Sequence, residues 1–362
     1  MLMADSPLPS RVLVTGGAGF VGASLCLALA EAQPATEVIA LDSLKRRGSE
    51  LNLARLREAG VTFVHGDVRQ RDDLFVLDPV DAIVECSAEP SVLAGMGTGA
   101  DYVVQTNLLG AHNCFELARR DGAQVIFLST SRVYPVAPQL ELKLREEPTR
   151  FALEPEQPVA GVSEHGIAED FPLEGARTLY GATKLAAELL LTEYADSFGV
   201  RATIDRCGVI AGPWQMGKVD QGVFTHWLLA HYAGRPLTYI GYGGTGKQVR
   251  DVLHVDDLCD LVVAQLADPD GWDRATVNVG GGVAGSLSLR ETTDLCVELT
   301  GNEVPIEPIA QARPGDVPLY ASDCRRLFGR TDWRPARTPR TVLEDTFAWI
   351  EANERAVLAA LA

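Results

Sequence analysis

The chain has 362 residues, of which 46% are hydrophobic, so it can bury a substantial core and form about two domains. Its formal net charge of −17 argues against a nucleic-acid backbone as a partner, because phosphates require a basic surface. No run reaches the roughly 18 apolar residues of a membrane span, and the segment Met1–Pro9 lacks the pattern of a leader, so we expect a cytoplasmic protein. Seven scattered cysteines predict buried thiols, and the six histidines lack the spacing of a metal site.

The first half of the chain alternates short β-branched runs with longer helical patterns. Strands are predicted over Arg11–Thr15, Glu37–Leu41, Val61–His65, Ala82–Cys86 and Gln124–Ser129, and helices over residues 23–33 and 104–121. Continuous apolar strands separated by helices are typical of a parallel sheet covered on both faces. With right-handed crossovers, this order predicts an α/β fold with a doubly wound parallel sheet, the Rossmann architecture.

The pattern changes after the fifth strand. Residues 134–180 are rich in Pro and Glu with weak periodicity, which predicts a long surface excursion. A helix over 180–197 and a strand over 201–206 then resume the α/β order, whereas the chain from Gly212 onward is less regular. We expect the strand 249–254 and the helix after Asp256 to return to the first domain. The predicted domains are therefore residues 1–205 with about 249–270, and a smaller C-terminal α/β substrate domain of 206–248 and 271–362.

A glycine-rich turn follows the first strand directly. It reads G-G-A-G-F-V-G and places Gly16, Gly19 and Gly22 three residues apart. Without a Cβ, these residues let the turn tighten, let backbone N–H groups approach a pyrophosphate and let the next helix lie close to the sheet. The helix N-terminus adds the positive end of a dipole. A glycine trio alone is weak evidence, but its place between a strand and a helix predicts a dinucleotide site.

The second strand leads into Asp42, about 20 residues beyond the glycine turn. A carboxylate there accepts hydrogen bonds from both ribose hydroxyls of NAD and repels a 2′-phosphate, so we expect NAD. The basic run Lys45–Arg47 leaves NADP open as the alternative, since these side chains can reach a phosphate. Asp67, after the third strand, is either a ligand of the adenine amino group or a turn-former.

Tyr180 and Lys184 are four residues apart and share one face of a predicted helix. An unperturbed tyrosine ionises near pH 10, too high for a general base, but a nearby ammonium and an oxidised nicotinamide ring both favour the phenolate. Y-x-x-x-K is frequent by chance. Its place downstream of a dinucleotide turn and of the hydroxyl-rich run Ser129–Ser131 makes it a candidate for removing a proton from an alcohol.

Five motifs together resemble the extended short-chain dehydrogenase/reductase family of nucleotide-sugar epimerases and dehydratases. They are G-G-A-G-F-V-G, H-G-D-V, L-S-T-S-x-V-Y, Y-G-A-T-K and R-D-V-L-H-V-D-D, and the resemblance covers roughly Arg11 to Asn353. It implies Tyr180 as the base, Lys184 as its helper and Thr130 as the hydroxyl partner. The residues that it implies around NAD are Gly16, Gly19, Phe20, Val21, Gly22, Asp42, Ser43, Asp67, Val68, Ser87, Ala88, Asn107 and Lys184.

The residues after Thr130 bear on the reaction. Dehydratases of the family carry an Asp-Glu pair there and decarboxylases a Glu, whereas this chain has Ser131 and Arg132. Without a second acid and base, the chemistry reduces to oxidation of a sugar hydroxyl, reorientation of the keto sugar and return of the hydride to the opposite face. The resemblance therefore implies an epimerase.

A closer resemblance is to the CDP-paratose (CDP-tyvelose) 2-epimerases. L-D-S-L-K-R-R-G, F-V-H-G-D-V-R, G-K-Q-V-R-D-V-L-H and N-V-G-G-G-V-A-G-S-L-S-L carry it, and those enzymes also have a basic residue at the position of Arg132. It implies oxidation at C2 of a nucleotide sugar, with a CDP-sugar favoured. The stretch from Glu85 to Glu89 departs from the family, which usually has apolar-His-x-Ala-Ala there. Glu85 is then either a buried polar residue or a substrate ligand.

Arg250 and Arg313 are the candidates for the sugar diphosphate, because a planar guanidinium matches phosphate with two parallel hydrogen bonds. The alternative for each arginine is a surface ion pair. Asn107 has a supporting role behind the site. The full set of expected substrate residues is Glu89, Ser131, Arg132, Gly208, Gln215, Gln248, Arg250 and Arg313.

Two other functions stay open on the sequence. One is a 4-epimerase or another nucleotide-sugar oxidoreductase of the same family, acting on a UDP- or GDP-sugar. The other is a non-catalytic NAD-binding scaffold, which has no use for an activated phenol. Since members of this family commonly pair through the helices around residues 104–121 and 180–197, we also expect a homodimer.

Overall fold

The computed structural model describes residues 7–96, 99–216 and 222–361. The first elements in chain order are β1 (Arg11–Thr15), α1 (Phe20–Ala32), β2 (Glu37–Asp42), α2 (Asn52–Glu58), β3 (Thr62–His65), α3 (Arg71–Phe75), β4 (Ala82–Glu85), α4 (Ala100–Val104), α5 (Gly110–Asp121), β5 (Gln124–Thr130) and α6 (Val136–Leu140). Then come β6 (Leu144–Glu146), β7 (Phe151–Leu153), β8 (Val162–Ser163), β9 (Gly166–Ile167), α7 (Leu179–Phe198), β10 (Ala202–Cys207) and β11 (Val209–Ala211). The last are α8 (Val223–Tyr232), β12 (Leu237–Ile240), β13 (Val249–His254), α9 (Val255–Ala267), β14 (Ala275–Val279), β15 (Ser286–Ser288), α10 (Leu289–Thr300), β16 (Ile306–Ile309), β17 (Leu319–Tyr320), α11 (Arg325–Phe328), α12 (Pro339–Ala352) and α13 (Glu354–Leu361).

A seven-stranded parallel sheet in the order β14-β10-β5-β4-β1-β2-β3 confirms the predicted doubly wound fold. The chain leaves β1 toward β2 and β3 on one side and continues with β4 and β5 on the other. This reversal creates the crevice at the carboxyl ends of the strands where ligands bind in such folds. Every residue of β4 and β5 is buried, as the continuous apolar runs predicted.

The chain forms two compact units. The first comprises the described residues up to Thr130, together with Leu179–Arg206 and Leu258–Thr276. Its hydrophobic core includes Leu13, Ile39, Ile83, Phe115 and Phe127. The second unit comprises Ser131–Thr178, Cys207–Asp257 and the described residues from Val277 onward. It contains a sheet in the order β11-β13-β15, with β17 also paired to β13, and three two-stranded pairs, β12-β16, β6-β7 and β8-β9.

Two expectations differ from the structure. Residues 131–178 lie in the second unit and include two hairpins, β6-β7 and β8-β9. Backbone hydrogen bonds tie the segment to the rest of this unit: the Phe151 N–H donates to the Lys247 carbonyl and the Ile167 N–H to that of Ala321. This segment is not merely a surface excursion, since Phe171 is 1% exposed. The strand 249–254 also belongs to the second unit, where β13 pairs with β11, β15 and β17 instead of joining the large sheet.

The helix predicted over 104–121 begins earlier, at Ala100, and widens into a π-turn over Gln105–Leu109 before α5. A π-turn inserts one residue into the helical repeat, which periodicity alone does not reveal. Among the described residues, no helix is long and apolar enough to cross a membrane.

Candidate active site

The glycine turn is as tight as its sequence predicts. A Cβ on Gly22 would lie 2.1 Å from the Gly16 carbonyl oxygen, and Gly16 itself has a φ of +63°. The helix α1 begins after Gly19 with no side chain capping its first turn and no acidic residue in that turn. Its backbone N–H groups and helix dipole are therefore suited to an anion such as the pyrophosphate of NAD.

Asp42 ends β2 beside this turn. One carboxylate oxygen accepts the Ala18 N–H at 3.1 Å and the other accepts the Leu44 N–H at 2.8 Å. Burial raises the pKa of this carboxyl, while the backbone N–H groups of Leu44, Ala18 and Gly19 oppose the rise. The side chain thus stabilises the turn, and its contact with the ribose stays a prediction.

A cation-rich group lies beyond the second and third strands. Arg69 binds both carboxylate oxygens of Asp67, and this contact lowers the pKa of Asp67. The guanidinium of Arg69 and the ammonium of Lys45 also lie over the Tyr102 ring, 5.0 Å and 3.4 Å from its centroid. Next to Asp67, the Val68 carbonyl accepts a hydrogen bond from Asn113. Arg69 and Tyr102 were not among the predicted site residues, although Arg69 belongs to the F-V-H-G-D-V-R motif.

Lys184 lies at the carboxyl edge of the sheet. Its Nζ is 3.4 Å from Oε2 of Glu85, at the end of β4, and 3.8 Å from the centroid of the Phe127 ring in β5. Glu85 precedes Cys86, whose carbonyl oxygen would be 3.1 Å from a Cβ on Gly16. The ammonium, the strand ends and the glycine turn are thereby brought together in the first unit. Glu85 is fully buried, which favours the first of the two alternatives that the sequence left, a buried polar residue.

Tyr180 and Thr130 are the other two residues of the predicted catalytic set. Tyr180 is half-buried in the first turn of α7, one turn before Lys184, and Thr130 is buried at the end of β5. Both belong to the first unit, as do Ser87 and Ala88, which follow β4 and are half-buried. The same holds for Phe20 and Val21 at the start of α1 and for Ser43 after β2.

Asn107 links three segments around the site. Its amide oxygen accepts the Glu89 N–H at 2.7 Å, and its amide nitrogen donates to the Glu89 carbonyl at 3.2 Å and to the Thr183 hydroxyl at 3.3 Å. The π-turn that contains Asn107 is therefore tied to the loop after β4 and to α7. These contacts agree with the supporting role expected for Asn107.

A buried ion pair that the sequence analysis missed holds α7 on the sheet. Arg206 donates to both carboxylate oxygens of Glu188, with a shortest distance of 2.8 Å, and the Ser129 hydroxyl donates to the same carboxylate. Glu188 follows Lys184 by four residues and so lies on the same face of the helix, which is the signal that could have found it.

The predicted substrate residues fall mostly in the second unit; only Glu89 lies in the first. Arg250 donates to Asp316 at 2.5 Å and to the Val317 carbonyl at 2.8 Å, and Arg132 donates to the Gly315 carbonyl at 3.3 Å. Two of the expected arginines thus meet on residues 315–317, just after the half-buried Arg313.

The remaining predicted positions have local partners. Gln248 donates to the Ile240 carbonyl and Gln215 to that of Ile210, while the Thr225 hydroxyl donates to Gln215. A Cβ on Gly208 would lie 2.6 Å from a carboxylate oxygen of the buried Asp251. The need for glycine at position 208 therefore has a packing explanation. Ser131 is half-buried directly after β5.

Several known proteins are similar to this chain. A model of the "NAD dependent epimerase/dehydratase family" matches residues 12–280. The CDP-paratose 2-epimerase of Salmonella typhi is 28% identical over 94% of this chain and 98% of that relative. The dTDP-glucose 4,6-dehydratase of Mycolicibacterium smegmatis is 32% identical over 95% of this chain and 94% of that relative. The dTDP-glucose 4,6-dehydratase of Streptomyces venezuelae, solved with NAD, is 29% identical with a TM-score of 0.75, covering 96% and 98% of the two chains. The chain therefore belongs to the NAD dependent epimerase/dehydratase family, and its cofactor is NAD.

Proposed function

We propose that the protein is an NAD-dependent epimerase of a nucleotide-diphosphate sugar, and that it acts at C2 of a CDP-sugar. The observation that supports this most is the position of Lys184. Its ammonium lies over the ends of β4 and β5, next to the segment against which the glycine turn packs, and one helical turn after Tyr180.

Tyr180 acts as the base that takes the proton of the sugar hydroxyl, and Thr130 hydrogen-bonds the same oxygen. The ammonium of Lys184 favours the phenolate electrostatically. Bound NAD would accept the hydride from the carbon that carries this hydroxyl. It would return the hydride after the keto sugar has rotated to present its opposite face. Because Tyr180 can give back the proton that it removed, the cycle needs no further acid or base.

Two residues favour epimerisation over elimination of water. Ser131 and Arg132 follow Thr130 where dehydratases of the family are expected to carry an Asp-Glu pair. Dehydration nevertheless remains the second candidate, because the 4,6-dehydratase relative is 32% identical and the 2-epimerase relative 28%.

The second unit supplies the diphosphate ligands in this proposal. Arg250 and Arg132 are held by residues 315–317, and Arg313 lies just before this segment. Guanidinium groups arranged in this way match the charge and geometry of a diphosphate in a chain that is otherwise acidic. Preference for CDP rests on the likeness to the CDP-paratose 2-epimerase.

The reaction is tested by incubating the NAD-loaded protein with CDP-, UDP-, GDP- and dTDP-sugars in deuterated water. We expect a CDP-sugar product inverted at C2 in the NMR spectrum, with no deuterium on the ring carbon, because the hydride returns directly. Inversion at C4 of a UDP- or GDP-sugar would replace the proposed substrate and carbon. Loss of water by mass spectrometry would make the protein a dehydratase, and no change of any sugar would contradict an epimerase.

We also propose that two copies pair through α5, α7 and the π-turn before α5. Leu189 and Leu109 are 63% and 42% exposed there, and Leu108, Ala186 and Leu190 line a concave surface beside Leu189. Apolar patches of this kind mark protein interfaces. In sedimentation velocity, Leu189→Glu should shift a dimer to monomer. Val76→Glu, at a 77% exposed site on the loop after α3, should leave the dimer intact. A monomeric native protein would contradict the pairing.

A further inference from the structure

Three neighbouring strands place one residue each in a row beneath Lys184. Thr15 in β1 pairs with Glu85 in β4, and Glu85 pairs with Phe127 in β5. The side chains of Glu85 and Lys184 are 0% and 2% exposed, and their charged atoms lie 3.4 Å apart. The ammonium thus faces a carboxylate and an aromatic ring in a site that excludes water.

Neither charge of this pair would be stable alone at this depth, because burying an unpaired ion carries a large desolvation penalty. Burial raises the pKa of Glu85, and the opposite charge of Lys184 lowers it, as do contacts with the Ser87 backbone and the Thr15 hydroxyl. On α5, the thiol of Cys114 also feels this carboxylate: burial raises its pKa first, and Glu85 raises it further. Among the described residues, Lys184 on α7 and Cys114 on α5 are titratable groups that face Glu85.

We propose that Glu85 is a positioning residue of the reaction, the counter-ion that holds the Lys184 ammonium at the strand ends and sets the pH range in which Tyr180 ionises. This inference rests on the proposed function, in which Tyr180 is the base. Glu85 touches neither the sugar nor the transferred proton; it acts through Lys184. A substrate ligand would need an accessible carboxylate, and this one is fully buried.

The direction of the effect follows from the loss of the counter-ion. A neutral residue at position 85 leaves the buried Lys184 ammonium without a paired charge, so the ammonium is no longer held at the strand ends. The Tyr180 phenolate then loses the positive charge that stabilises it, and the phenol ionises at higher pH.

The test is a spectroscopic titration of the NAD-loaded protein that needs no substrate. Phenolate absorbance is followed against pH in the native protein and in Glu85→Gln. From each curve, that of the same protein carrying Tyr180→Phe is subtracted, which leaves the transition of Tyr180. We expect the Tyr180 transition of Glu85→Gln to move to higher pH by about one unit. Glu85→Asp keeps the charge and should move it by less than about a third of that.

Asp121→Asn is the matched control. The Asp121 side chain is 2% exposed and paired with Arg120 in the same unit, at the far end of α5, and its loss should leave the transition in place. If Glu85→Gln fails to fold, Glu85→His is used instead, since a histidine is neutral above about pH 7.

An unchanged transition in the neutral variant would overturn the role of Glu85. This outcome is distinct from failure of the proposed function, because the titration reports the phenol whether or not any sugar is epimerised. With an identified substrate, the acidic limb of the profile of log kcat against pH, which reports the ionisation of Tyr180, should move to higher pH. A fall in kcat with an unmoved acidic limb would reduce Glu85 to a packing role.

Discussion

One ion pair in each unit illustrates a different way of holding a buried or partly buried arginine. In the first unit, the side chains of Glu188 and Arg206 are 5% and 7% exposed, and they bind each other at 2.8 Å. In the second, Arg250 and its partner Asp316 have side chains 13% and 22% exposed, within reach of solvent. A buried ion pair stays bound inside the folded protein, out of reach of a ligand. A partly exposed guanidinium can exchange its carboxylate for a ligand from solvent. In the proposed function, the buried pair belongs to the fixed frame around Lys184 in the first unit, and Arg250 in the second exchanges Asp316 for a diphosphate.

The largest expected effect is on the free energy of unfolding, when one ion pair in each unit is broken by substitution. Glu188→Gln leaves Arg206 buried without its counter-charge and should cost about 3–5 kcal/mol of unfolding free energy. Asp316→Asn, at a partly exposed pair, should cost less than about 1 kcal/mol. Urea unfolding of both variants measures the difference. Equal losses would remove the distinction between the units.

The next effect is a pH dependence that both units share to different degrees. Burial raises the pKa of Asp205 in the first unit to about 7, against a hydrogen bond from Gln265, and that of Asp251 in the second to about 6. Each folded carboxyl keeps its proton above the pH at which the unfolded chain releases it. Each therefore contributes stability at low pH that is lost as pH rises from about 4 through the folded pKa.

Asp205→Asn and Asp251→Asn remove these losses. Between about pH 5 and pH 8, the urea midpoint should fall less in each variant than in the native protein, with the larger difference for Asp205→Asn. Midpoints that run parallel to the native curve would show that neither carboxyl titrates in this range.

A smaller effect is expected on substrate binding by the second unit. Arg250→Lys keeps the charge but loses the planar fork, so KM for the nucleotide sugar should rise about tenfold with NAD affinity unchanged. Arg325→Lys is the control, because Arg325 binds both oxygens of Asp323 in the same unit and takes no part in the proposed site. A rise in KM for both variants, or a loss of NAD binding, would count against Arg250 as a diphosphate ligand.

The sequence predicted the first unit better than the second, for physical reasons. The strands of the large sheet are apolar throughout, and the glycine turn and the Tyr180–Lys184 spacing are local patterns, so each is visible in a short stretch. The partners Glu85–Lys184 and Glu188–Arg206 meet across 99 and 18 residues, and no local pattern shows that they touch. β13 has a strand's sequence, but its pairing with β11, β15 and β17 depends on segments far along the chain.

The proposed reaction depends most on the phenol of Tyr180. Tyr180→Phe removes one oxygen from a half-buried side chain, and it should leave NAD binding within a factor of about two while turnover of the nucleotide sugar falls by at least about a thousandfold. The measurement is kcat by NMR alongside NAD affinity by calorimetry on the same preparation. Turnover that stays near the native rate with NAD bound would contradict Tyr180 as the base.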